Sequence, residues 1–193
     1  LTMSVLELMK TRRTYRRFAQ RPVPEEVVAQ MLEAARYAPS AANLQPLKYL
    51  VIRSPELVEQ VFARTRWAGY LPPEDGVPKE GERPVLFVVV LEDSQISKSV
   101  YVATDAGLAI SNMTLAAWEH GVGSCIIGSC DKEWMAEFFR LPENLRGHSV
   151  VAFGYPTHTS VCEDLTASVR YYLDAAGNYR VPKRKTEDIV KFL

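Results

Sequence analysis

Apolar positions recur at helical spacing in two early stretches. Val5, Leu6, Leu8 and Met9 follow Ser4 and Glu7, whose three-residue separation is that of a capping box, so a short helix is predicted to run toward a basic cluster. Val27, Val28, Met31, Leu32 and Ala35 form a second stripe, opened by Pro24 and broken at Pro39. Residues 39–46, "PSAANLQP", are small, polar and bounded by prolines, and read as a loop. "KYLVIR" (48–53) is predicted as a strand, and "PELVEQVFART" (55–65) as a helix with proline in its first turn. After a long irregular stretch, 66–83, the run "PVLFVVVLE" (84–92) is almost wholly apolar and β-branched, as suits a strand buried on both faces. Residues 100–120 then give a helix that is apolar on most sides and ends at Gly121. "SCIIGS" (124–129) reads as a strand, "KEWMAEFFRL" (132–141) as a helix, and "SVVAFGYP" (149–156) as a strand. Strands and helices do not alternate regularly. The expectation is therefore α+β, a mixed central β-sheet flanked by helices in one domain over residues 1–193.

The 100–120 helix changes the picture of assembly. Ala103, Gly107, Ala109, Ser111, Ala116 and Ala117 lie around it between larger apolar residues. A chain of 193 residues has little room to bury such a helix completely, so part of it is expected at a subunit interface.

Composition narrows the partners. Lys plus Arg and Asp plus Glu number 23 each, so no global field draws the chain to nucleic acid or anionic lipid. No apolar run reaches about 18 residues, so no membrane span is expected. The three cysteines are an odd number, and no apolar leader follows a basic start; a reducing cytoplasm is the expected compartment.

Within this neutral chain, "TRRTYRRF" (11–18) concentrates four arginines. On a continuing helix Arg12 and Arg16, and Arg13 and Arg17, would be i,i+4 neighbours and repel. Three readings compete: a solvated face, a nucleic-acid patch, or a cradle for one small anion. Arginine forks and the Thr14 hydroxyl suit phosphate oxygens. "GVGSCIIG" (121–128) lacks the strand–GxGxxG–helix order of a dinucleotide site, and no Walker lysine follows. Cys125, Cys130 and the scattered His120, His148 and His158 lack the spacing of a metal site, and no metal is expected. His120 is read as a helix cap, the cysteines as small core residues, and Asp105 and Asn112 as polar groups in need of partners.

Taken together, "RRTYRRF" (12–18), "APSAANLQP" (38–46), "DAGLAISNMTLAAWEHGVGSC" (105–125), "LPENLRGHSVVAFGYP" (141–156) and "VPKRKTEDIV" (181–190) resemble, in order, motifs of the nitroreductase family of flavin-dependent oxidoreductases. The resemblance implies that family's fold and an intertwined homodimer with FMN at the subunit interface. It implies that Arg12 and Thr14 hold the phosphate, Arg13 the ribityl-phosphate region, and Arg16 the pyrimidine edge of the flavin. Pro39, Ser40, Ala41, Asn43 and Gln45 would reach the ring from the partner. Cys125, Ile126, Ile127 and Gly128 would lie against one ring face. Lys183 and Lys185 would approach the phosphate, with Arg184 taking their place if the alignment slips by one residue.

The chemistry so implied is ping-pong hydride transfer from NADH or NADPH through flavin N5 to a nitroaromatic or quinone-type acceptor. No side chain is assigned a catalytic role. The alternatives are a flavin-binding or regulatory module without turnover, another flavin reaction (dehalogenation or flavin destruction), and, more distantly, a nucleic-acid binder. Two positions depart from the family pattern, Ala41 where serine is common and Leu47 where an aromatic often follows Gln-Pro. Trp67 and Tyr70, in the unmatched 66–83 segment, are candidates to line the substrate pocket.

Overall fold

The computed structural model describes residues 3–193. Helix α1 (Val5–Thr11) is capped by Ser4, whose hydroxyl accepts from the Glu7 N–H at 3.2 Å. Glu7 turns instead to Lys10, 3.0 Å away, so only half of the capping box forms. No residue of α1 is buried. The basic cluster does not continue this helix: Arg12 is already extended (φ −67°, ψ 106°), and the chain runs through non-helical residues, with a bridge at Thr14, into β1 (Phe18–Ala19). Extension relieves the i,i+4 stacking of like charges and lets Tyr15 and Phe18 both enter the core.

Helix α2 (Glu25–Arg36) follows, then β2 (Leu47–Ile52), α3 (Pro55–Phe62), the short α4 (Pro73–Gly76) within the irregular stretch, and β3 (Leu86–Asp93). Next come α5 (Val102–Glu119), β4 (Gly123–Ile127), α6 (Lys132–Phe138) and β5 (Leu145–Pro156). β5 is the longest strand and organises the main sheet, pairing with β3, β4 and β1, while β2 pairs with the other edge of β3. All these pairs are antiparallel; a parallel bridge between Thr14 and Ser124 adds the arginine run beside β4.

β3 separates two cores. Leu86, Val88 and Val90 pack with α2 and α5, whereas Phe87, Val89 and Leu91 pack with α3, α6, Tyr15 and Phe18. Its burial on both faces follows from the unbroken β-branched run. Asn112 secures α5 to α2 by donating to the Ala34 carbonyl at 3.1 Å, and His120 caps α5 while contacting Gln30 at 2.6 Å.

A single protomer does not bury α5 all round, in keeping with the limited room in a chain of this size. Ala103, Thr104, Gly107, Leu108 and Ser111 are exposed along one face. Beyond β5 lies a small second sheet that the sequence pattern does not reveal. In it β6 (Ser160–Asp164) runs parallel to β8 (Tyr179–Lys183), with β7 (Tyr172–Leu173) antiparallel on the far side of β8; α7 (Thr186–Ile189) follows. Among the described residues no helix is long and apolar enough to cross a membrane.

Candidate functional site

The arginine run is held from below by aromatics and from above by the small sheet. Tyr15 donates its N–H to the Ser124 carbonyl at 2.9 Å, and its ring stacks on Trp118 at 5.0 Å between centroids. Trp118 in turn donates to the Thr11 hydroxyl at 2.9 Å, tying the end of α1 to α5.

Arg13, Arg16 and Arg17 are each met by a different group. Arg13 donates from Nη1 to Cys162 Sγ at 2.8 Å and from Nη2 to the Met9 carbonyl at 3.0 Å. The Arg16 guanidinium lies 4.6 Å from the Tyr171 ring centroid and 4.8 Å from that of Tyr179. Its backbone N–H donates to His158 Nε2 at 3.0 Å. Arg17 donates to the Gly177 carbonyl at 2.6 Å.

Among the described residues none of these four arginines is salt-bridged to a carboxylate. The Nε atoms of Arg13 and Arg16 are buried without an acceptor. Burial, and then the neighbouring Arg13, lower the pKa of Arg12. Gathering cations away from water without a counter-charge is costly. The arrangement therefore favours an anion among them.

β4 alternates beside this cluster. Cys125 and Ile127 point into the core, whereas Ile126 and Gly128 are exposed. Burial pushes the Cys125 thiol up to about 11, against the opposing influence of Arg16, so the thiol is neutral at ordinary pH. His158 is pushed down to about 4, chiefly by burial and further by Arg17 and Arg16. Its Nε2 is thus unprotonated and free to accept from Arg16, while Nδ1 faces the Thr159 carbonyl at 3.0 Å.

The basic tail reaches the same small sheet. Val181 pairs with Cys162, the residue touching Arg13, and Lys183 pairs with Asp164 two residues on. Lys183, Arg184 and Lys185 are all exposed.

Pro39, Ser40, Ala41, Asn43 and Gln45 lie elsewhere. Their loop contains a 3₁₀ turn, Ala41–Asn43, and Ala42, Asn43 and Gln45 adopt positive φ of 50°, 55° and 55°. Each such non-glycine residue costs about 1–2 kcal/mol. Local bonds hold the shape: buried Asp105 accepts from the Ala41 N–H at 2.9 Å, and the Ser40 hydroxyl accepts from the Gln45 N–H at 3.1 Å. Pro39, Ser40 and Gln45 line a cavity of about 350 Å³ with Tyr49, Asp105 and Ala109.

This loop docks at Asp105 and the arginine run at Trp118, thirteen residues apart on α5. At helical rise that is about 20 Å, so one protomer keeps the two groups apart. Trp67 is a core residue packed on Phe62 at 5.8 Å, while Tyr70 is exposed and packs at a tilt against Tyr171 at 4.9 Å.

Cys162, His158, Tyr171 and Tyr179 are the contacts that sequence reading missed. They lie in a tail without motif, and reach the arginines only because β6 and β8 fold back over them.

An antiparallel sheet between two helical layers, with a basic extended segment along one strand, defines the α+β class. The chain belongs to the nitroreductase family: the model described as "Nitroreductase family" matches residues 9–155. It is 31% identical over 176 residues to a protein of Methanothermobacter thermautotrophicus provisionally named NADH dehydrogenase/NAD(P)H nitroreductase, covering 89% of this chain and 87% of that one. It is 26% identical over 182 residues to an iodotyrosine deiodinase of Haliscomenobacter hydrossis, covering 82% of each. Among solved structures, a provisional nitroreductase in complex with FMN from Desulfovibrio desulfuricans superposes with a TM-score of 0.70 at 26% identity, over 88% of this chain and 94% of that one.

Proposed function

We propose that this chain is a homodimeric, FMN-dependent oxidoreductase that accepts hydride from NADH or NADPH and delivers it to a nitroaromatic or quinone-type acceptor by a ping-pong scheme. The observation that carries the proposal is the set of arginines without a carboxylate partner, two of them with orphaned, buried Nε atoms. A phosphate and an electron-rich ring edge are acceptors of the kind these groups lack. The relatives named for NAD(P)H chemistry and the FMN-bound neighbour support the same assignment.

FMN, when bound, supplies reversible hydride chemistry at N5. The chain's own residues bind and orient it. Arg12, Arg13 and Thr14 hold the phosphate end, with Lys183, Arg184 or Lys185 adding charge from the tail. Arg16 holds the pyrimidine edge, where a fixed cation favours negative charge. Ile126 and the Gly128 backbone, on the exposed side of β4, face the ring, and Cys125 and Ile127 anchor that strand from the core.

The loop 39–46 completes the cradle from a second copy. An α5 paired antiparallel with its own copy across a two-fold axis near Ser111 would bring one copy's Asp105 end beside the other's Trp118 end. The exposed Ala103, Gly107, Leu108 and Ser111 permit that approach. Val5 (69% exposed), Leu6 (60%) and Phe192 (93%) are further apolar side chains that a second copy would cover.

Titration of the flavin-free protein with FMN tests the cradle. Loss of one charged hydrogen bond in Arg12→Ala should weaken binding about 10- to 100-fold. Unchanged affinity would contradict the assignment. The likeness to an iodotyrosine deiodinase favours reductive dehalogenation as a second reading, and halide release from a halophenol under turnover separates it from nitro or quinone reduction.

A further inference from the structure

We infer that Tyr171 is a positioning residue for Arg16, holding the guanidinium against the flavin while leaving its charge uncompensated. The inference rests on the FMN reading above. Tyr171 and Tyr179 contact the guanidinium at 4.6 and 4.8 Å, and the buried Nε has no acceptor. A carboxylate in either position would hold the side chain equally well, but would cancel its field. A π-face attracts a cation through its quadrupole and leaves the net charge intact. A cation with its full charge is what the pyrimidine edge requires when the flavin is reduced.

The two rings differ in how they are held. Tyr179 is fixed in the core at 1% exposure. It also packs on His158 at 5.1 Å between centroids. Tyr171 is half-buried in the stretch between β6 and β7. It is steadied by Tyr70, whose ring packs on it at a 44° tilt with centroids 4.9 Å apart and whose N–H donates to its hydroxyl at 3.4 Å. Arg170 lies over the Tyr70 ring, 4.6 Å from its centroid. Arg16 is thereby coupled to the 66–83 segment through one removable side chain. Tyr171 is also the safer of the two rings to change, since Tyr179 belongs to the core.

The test measures FMN affinity and the midpoint potential of the bound flavin in wild type, Tyr171→Ala, Tyr171→Phe, Arg16→Ala and the Arg16→Ala/Tyr171→Ala double variant. Loss of a desolvated cation–π contact corresponds to about a tenfold change in an equilibrium. Tyr171→Ala should therefore favour the reduced flavin about tenfold less, which is about 30 mV more negative for a two-electron couple. Tyr171→Phe keeps the π-face and should stay within about twofold of wild type. In the double variant Tyr171→Ala should add nothing further, because both substitutions act on one interaction. A wild-type potential in Tyr171→Ala, or equal losses in Tyr171→Ala and Tyr171→Phe, would overturn the positioning role while leaving the FMN reading intact. A wild-type protein that binds no FMN would overturn both.

Discussion

Gly123→Ala tests how the core delivers the arginines to the surface. A Cβ at Gly123 would lie 2.6 Å from Pro156 Cγ, 2.8 Å from Tyr15 Cδ2 and 3.0 Å from Tyr15 Cγ. Neither neighbour is free to retreat. Pro156 is in register with Phe18 of β1, and the Tyr15 ring is packed between Trp118 at 5.0 Å and His158 at 5.4 Å. Overpacking of this kind costs about 1–3 kcal/mol. For a chain of this size that lowers Tm by about 2–12 °C.

Tyr15 lies between Thr14 and Arg16, so its displacement should also weaken FMN binding in the fraction that stays folded. Thermal melts followed by circular dichroism, with FMN titration below the transition, measure both effects. Gly69→Ala is the control, because nothing lies within 4 Å of the Cβ it would add. Wild-type Tm and affinity in Gly123→Ala would refute the claim that this packing sets the position of the arginine run.

Three other outcomes are expected. Asp105→Ala removes the buried acceptor of the Ala41 N–H and should destabilise by about 1–3 kcal/mol, with weaker FMN binding if the loop 39–46 completes the cradle; denaturant melts and titration report the two effects. His158 has a folded pKa near 4, below the unfolded 6.5, so the unfolded chain binds more protons between those values. The stability His158 confers is complete above about pH 6.5 and is lost as pH falls toward 4, by up to about 3 kcal/mol, and pH-dependent melts of wild type and His158→Gln should differ in that window. Ser111→Glu would place like charges face to face across an α5 two-fold axis, and sedimentation should show dimer association weakened by about a hundredfold or more; an unaffected dimer would move the interface elsewhere.

The main sheet and its helices could be read from the chain because each carries a strong local pattern. The β-branched run of β3 and the apolar stripe of α2 fix their own conformations almost regardless of context. Boundaries moved where tertiary pairing extended an element, as at β5, which begins at Leu145 to follow β3 instead of at Ser149. The first helix ends near the arginine cluster, as its pattern predicts, but local pattern does not decide the conformation of the cluster itself, since arginine is also a good helix former. What decides its conformation is the burial of Tyr15 and Phe18 and the bridge from Thr14 to Ser124, none of which is local. The surroundings of the arginines were invisible for the same reason. Cys162, Tyr171 and Tyr179 lie about 150 residues downstream; the parallel pairing of β6 with β8 brings Cys162 and Tyr179 there, and Tyr171 comes from the stretch between β6 and β7. Asp105 was noticed as a polar residue in an apolar helix, but its partner, a backbone N–H across the fold, has no sequence signature.

On this reading the chain's uncompensated arginines hold a flavin that nicotinamide can reduce. The most direct measurement is the visible absorption spectrum of the freshly purified protein, recorded under nitrogen before and after addition of NADH, then NADPH. The expected result is a two-banded flavin spectrum that bleaches with at least one donor and returns when a nitroaromatic or quinone is added. A protein that takes up no flavin even after incubation with FMN would contradict the cradle, and a bound flavin that neither donor bleaches would contradict the proposed oxidoreductase.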